Sequence, residues 1–264
     1  MFQRCPEYWL PRKPLISDTP QKEGFVKGKT ILVAGPIGTG KASLCMQFLL
    51  RDVYEFAKAD PAKSEISTPP INLFVSLNVD AQQAVKSAWD RFVDNLKKEQ
   101  LEASKIDDFE KSIVVLDFTQ SHFDFNHLMS HLYWALDEFK GNISRIAFDG
   151  LSEWVTMFKR ADAAKMLEAI LVVISNHPCY KDHATRPTVF ITYNMATDDD
   201  PLAPQSPGVS ADYIIALKQI NIHDEIHKVV YVIKSADSSH DPTVRELAFE
   251  NGKPFVRSGL DSFN

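Results

Sequence analysis

Seven consecutive residues, Gly35-Pro36-Ile37-Gly38-Thr39-Gly40-Lys41, constrain the fold of this chain more than any other stretch. The run Thr30-Ile31-Leu32-Val33-Ala34 before them is apolar and β-branched, and reads as a buried strand. After them, Leu44, Cys45, Phe48 and Leu49 recur at helical spacing within a segment that reaches about Lys58. Strand, glycine-rich turn and helix in that order are the setting in which backbone N–H groups and a lysine cradle the phosphates of a nucleotide. Such a unit demands a mostly parallel sheet with helices packed on it.

The residue after Lys41 is Ala42, where a phosphate loop ordinarily presents the hydroxyl that binds magnesium. Ser43 lies one residue further, about 100° round the helix, and does not replace it. Gly35, Pro36, Ile37, Gly38, Thr39, Gly40, Lys41, Ala42 and Ser43 are therefore the candidate nucleotide contacts, for ATP or ADP, with a weakened Mg2+ site. Asp149 ends a further strand-like run, Ser144-Arg145-Ile146-Ala147-Phe148, of which Ile146-Ala147-Phe148 reads as buried. A carboxylate there fits the aspartate that holds magnesium through water; the rival role is to cap the following turn.

Elsewhere, strand-like runs occupy Ile71–Leu77, Ser112–Asp117, Thr188–Tyr193, Tyr213–Gln219, Val229–Ser235 and Val244–Glu250. Helical patterns fall at Ala81 to about Glu102, Phe125–Phe139 and Ala163–Ser175. Asn251-Gly252 is a hairpin turn by its chemistry. The expected fold is α/β: a mostly parallel twisted sheet flanked by helices and extended by C-terminal antiparallel strands. Residues 1–27, rich in proline and charge, are expected to form an irregular arm before a domain at 28–264. Trp134, Trp154, Phe123 and Phe125 read as core.

A net charge of −6 argues against a general nucleic-acid binder, and Asp198-Asp199-Asp200 would repel a phosphate backbone. No apolar run is long enough for a membrane span, and a cytoplasmic protein is expected. Cys5, Cys45 and Cys179 form no paired motif and read as idle thiols. His127 and His131 share a helix face near His122, but without a further fixed ligand they read as a surface.

Gly35–Leu50 with Ile146–Trp154 resembles the KaiC/RadA branch of RecA-like ATPases. The tail Val232-Ile233-Lys234-Ser235-Ala236-Asp237-Ser238-Ser239-His240, with Pro254-Phe255, is similar to KaiC-like domains in particular. The likeness spans about Gly28 to Val256. It implies rings or paired assemblies, of identical or related RecA-like chains, with nucleotide between neighbours. Lys41 and Asp149 then match the family's phosphate lysine and magnesium aspartate. Lys234 and His240 fall on residues that reach a neighbour's nucleotide in trans, and Asn194 on a polar sensor of the γ-phosphate (an asparagine in a turn is the rival).

The chain also departs from the family. Ala236 replaces an arginine and Asp237 a glycine, while Asn78-Val79 stand where adjacent glutamates activate water. Asn78 can orient a water without taking its proton. General-base catalysis contributes ~10²–10⁴-fold and an arginine finger ~10³–10⁵-fold, so turnover is expected to be slow or absent. A nucleotide-dependent assembly or regulatory protein with a protein partner is the leading expectation. The rivals are an active motor or recombinase-like ATPase, with Asp80 as base, and a small-molecule kinase. The kinase lacks an arginine-rich lid here.

Overall fold

The computed structural model describes residues 17–19, 22–23, 25–58, 70–77, 81–98, 111–118, 124–153, 160–182, 185–195, 207–236, 243–250 and 253–257. Among the described residues a nine-stranded sheet, its strands numbered in chain order, runs β11-β10-β9-β8-β3-β7-β6-β4-β5. Its parallel part comprises β3 (Thr30–Gly35), β4 (Ile71–Ser76), β5 (Ile113–Asp117), β6 (Ile143–Asp149), β7 (Thr188–Asn194) and β8 (Tyr213–Ile222). The remaining strands, β9 (Glu225–Ser235), β10 (Arg245–Glu250) and β11 (Lys253–Arg257), join it antiparallel.

Side chains alternate across the sheet, as strand geometry requires. Phe74, Ala147 and Phe190 face α1 (Lys41–Lys58) and α2 (Ala81–Lys98); Val75, Phe148 and Ile191 join the cluster of α3 (Phe125–Glu138) and α4 (Arg160–Asn176). Both faces are thus covered, which suits the near-continuous apolar runs of the parallel strands. In α3 the expected stripe Leu128, Leu132, Ala135 and Leu136 is buried, and Asp124 caps the helix by accepting from the Asn126 N–H at 3.0 Å.

Trp134 is a correction: it is 52% exposed rather than core. Two residues past Leu132, it points well away from the buried stripe. Phe125 packs partly against the core, while Trp154 and Phe123 lie outside the described residues. The arm also differs from expectation near its end. Ser17–Thr19 (β1) and Lys22–Glu23 (β2) pair antiparallel, and Phe25 is buried edge-on to Tyr213 at 5.3 Å between ring centres. The β8–β9 hairpin is longer than the two runs suggest. It turns through His223 (φ 51°) and Asp224 (φ 65°), both left-handed, as a two-residue turn matched to strand twist requires. Glu250 pairs with Lys253, while the expected turn residues Asn251 and Gly252 lie outside the described residues.

Candidate nucleotide-binding site

The central strand β3 delivers the glycine loop to the C-terminal edge of the sheet, where α1 begins. Gly38 (φ 82°) and Gly40 (φ 105°) hold left-handed conformations that L side chains rarely adopt, so the loop needs glycine at both. Thr39 is buried and donates its hydroxyl to the Pro36 carbonyl at 2.8 Å, which closes the loop on itself. Ile37 stands 81% exposed at the tip, and Ala42 is exposed on the first turn of α1. Ser43, half-buried beside it, stands one step round that helix.

Lys41 is buried, and its ammonium donates to the Gly35 and Pro36 carbonyls at 2.7 and 2.6 Å. Burial lowers its pKa to about 8, against the opposing pull of Asp149 and then Glu153. A lysine held inside a ring of backbone, with two carboxylates nearby, is poised to exchange carbonyl oxygens for phosphate oxygens.

Parallel register assembles the rest. Asp149 ends β6 opposite Ser76, and Asn194 ends β7 opposite Gly35. The Asp149 carboxylate accepts from the Thr192 hydroxyl at 2.5 Å, and that hydroxyl accepts from the Gly150 N–H at 3.0 Å. The Asn194 N–H donates to Ser152 Oγ at 2.5 Å, while Met195 N–H donates to the Gly35 carbonyl at 3.1 Å. Asn194 is half-buried and fixed beside the first glycine of the loop. Sequence reasoning had brought Lys41, Asp149 and Asn194 to one place, and they meet at one sheet edge.

Three neighbours escaped it. Glu153 follows Asp149 by one helical turn, and its N–H donates to Gly150 O at 3.0 Å. Burial, and then repulsion from Asp149, raises the pKa of its carboxyl against the pull of Lys41. The spacing from Asp149 was the available signal. Thr192 lies two residues before Asn194, where strand alternation puts both on one face. Phe249 of β10 presses on Gly40: a Cβ there would stand 2.3 Å from the ring. No local pattern announces that contact.

Lys234 lies on β9, where its ammonium donates to Ala211 O at 2.5 Å and Val209 O at 3.4 Å, both of its own chain. Asn78, Asp80, His240 and Asp198–Asp200 lie outside the described residues. Cys45 is fully buried, as an idle thiol would be. His127 and His131 pack at 4.3 Å between ring centres, each edge-on to Phe118; His122 lies outside the described residues. Among the described residues no group of metal-binding side chains gathers, and no helix is long and apolar enough to cross a membrane.

The cradle fits a nucleotide: left-handed glycines, a buried lysine and the start of α1 with exposed Ala42 converge on one edge. For magnesium the donor set is thinner, with the Asp149 carboxylate but no hydroxyl at position 42. An α/β sheet bearing this loop defines a phosphate-loop nucleotide-binding domain. A family model described as "ATPase: KaiC" matches residues 16–253, and the chain belongs to that family of RecA-type ATPases. The crystal structure of the KaiC-like protein PH0186 from Pyrococcus horikoshii OT3 is similar in fold. At 17% identity, the match covers 97% of this chain and 100% of that one with a TM-score of 0.67. Among curated proteins compared, none matches. Domains of this family commonly assemble into oligomers and bind nucleotide, generally with Mg2+.

Proposed function

We propose that this KaiC-family domain binds ATP on Gly35–Lys41 and uses it to fix an assembly or a regulatory surface, with hydrolysis slow or absent. One observation carries the reading: a complete lysine-bearing cradle is followed by exposed Ala42, which offers no metal ligand. Asp149 would hold magnesium through water, Asn194 would sense the γ-phosphate, and Asn78 would at most orient a water. Lys234 and His240 would reach a neighbour's nucleotide in an oligomer of this chain or a related one. For Lys234 this requires leaving its own Val209 and Ala211 carbonyls, which makes assembly the step that frees it.

Restoring the hydroxyl tests the reading. Ala42→Thr places it on an exposed helix turn, where it meets no packing obstacle. Magnesium should then tighten ATP binding to the variant about tenfold more than to the parent chain, read by calorimetry with and without the metal. Brisk phosphate release by the unmodified protein, or an equal magnesium effect in both, contradicts the proposal. A second reading, an active ATPase, is favoured by Glu153 alone, whose carboxylate lies near Lys41 and Asp149. It requires that Glu153→Gln abolish phosphate release while leaving nucleotide bound.

A further inference from the structure

At the opposite end of the sheet, roughly one seven-residue strand or ~23 Å away, lies a second cluster with no part in nucleotide binding. His177 and Cys179 follow α4, and Asp137 lies in the last turn of α3. His177 is buried, and its Nδ1 stands 2.8 Å from Cys179 Sγ while its Nε2 stands 3.3 Å from Asp137 Oδ1. The tautomer that satisfies both contacts carries its proton on Nε2, leaving Nδ1 to accept from the thiol. The Tyr180 side chain is buried beside the sulfur, with its phenol coupled to the thiol. A tight turn, Tyr180 N–H to His177 O at 2.9 Å, holds the three residues together. Cys179 is partly exposed, whereas Cys45 is sealed in the core.

We propose that Cys179 is a nucleophilic thiol served by His177 as its base and positioned through Asp137, and that it forms a mixed disulfide with low-molecular-weight disulfides. Sγ attacks one sulfur of the reagent as its proton passes to His177 Nδ1. The reagent's S–S bond breaks, and the departing thiolate takes the proton back from the imidazolium. Protein thiol and small disulfide become mixed disulfide and small thiol, so electrons and protons balance. Burial raises the thiol pKa, so the resting group is the thiol and needs a base at the moment of attack. Burial likewise pushes the Tyr180 phenol up, keeping it a proton donor beside the reacting sulfurs.

Full-length protein treated with oxidised glutathione, then mapped by peptide mass spectrometry, tests this. Cys179 should form the mixed disulfide about tenfold or more faster than the same residue in the urea-unfolded chain. His177→Gln should slow it about tenfold. Asp137 is 75% exposed, so its replacement leaves the fold intact. Asp137→Asn should slow the reaction several-fold, and Asp137→Glu should recover it, which a purely structural role would not produce. Unmodified Cys45 reports that the chain stays folded throughout. A folded-state rate no greater than the unfolded one overturns the proposal, as does a rate indifferent to both His177→Gln and Asp137→Asn. If His177→Gln fails to fold, indifference to Asp137→Asn overturns it alone.

Discussion

On the proposed site, Lys41 should make nucleotide binding a proton-uptake reaction above neutral pH. In the free protein, burial lowers its pKa to about 8. Phosphate oxygens in contact with the ammonium favour the charged form and return the pKa toward an ordinary ~10.4. At about pH 8.5 roughly three-quarters of free protein carries neutral Lys41, so binding takes up about 0.75 proton. Between about pH 7.5 and about pH 9, above the phosphate's own titration near 6, affinity should fall about eightfold, ~1.2 kcal/mol. The sign follows from a free-state pKa below the bound one: affinity is greatest on the acid side and is lost as pH rises through 8. The same depression acts on folding with the opposite slope. Between about pH 8 and about pH 10.4 the unfolded chain binds more protons, so this group makes the free protein more stable as pH rises. Calorimetry in buffers of different ionisation enthalpy measures the uptake directly. Lys41→Arg, which cannot lose its charge in this range, should bind with a flat pH profile. Uptake near zero at about pH 8.5 in the parent protein would refute the argument, because Lys41 would then be charged before nucleotide arrives.

Glu153→Gln removes one of two carboxylates that hold the Lys41 proton, so the midpoint of the same pH profile should move below 8. An unmoved midpoint would show that Glu153 is too well screened to matter. Gly40→Ala meets both a left-handed backbone (φ 105°) and the Phe249 ring, so nucleotide affinity should fall at least about tenfold. Trimming the obstacle in Gly40→Ala/Phe249→Ala should recover only the steric part, as titration would read. Arg145 pairs with Asp52 at 3.2 Å, donates to the Phe48 carbonyl and lies over the Phe48 ring, while Asn72 donates to Asp52 at 2.6 Å. Arg145→Met strands a largely buried carboxylate and should cost about 3–5 kcal/mol in urea unfolding. A loss under about 1 kcal/mol would mean that Asp52 reaches water instead.

Most of the parallel sheet was legible because its strands are buried on both faces and therefore read as unbroken apolar runs. Helix α1 was legible to its last residue, since the loop sets its start and Leu44, Cys45, Phe48 and Leu49 fix its buried face. The same periodicity that places Leu128 and Leu132 inside α3 puts Trp134 outside, two residues off the buried stripe. His223-Asp224 was not legible as a turn, because neither residue has glycine's freedom at positive φ. The twist and long pairing of β8 with β9 impose that conformation from outside the turn.

For the site, the legible residues are those whose position follows from the ends of parallel strands. Asp149 and Asn194 end strands and Lys41 opens α1 after the loop that follows β3, and parallel register brings such strand ends to a common edge regardless of sequence distance. Thr192 and Glu153 belong to the same local geometry, one strand pleat and one helix turn away, and were within reach of that rule. Phe249 was not. It arrives on an antiparallel strand at the far side of β8 and β9, and only the three-dimensional path sets its ring against Gly40. Lys234 shows the converse. Its position by resemblance points to a neighbour, while its hydrogen bonds in the single chain point to its own 3₁₀ turn at Pro207–Ser210 and the residue after it. Phosphate oxygens on an adjacent protomer would accept from that ammonium more strongly than the two carbonyls do. In the proposed assembly, nucleotide-linked association should weaken in Lys234→Ala while binding to the monomer persists, a separation that sedimentation and calorimetry on one preparation can read together.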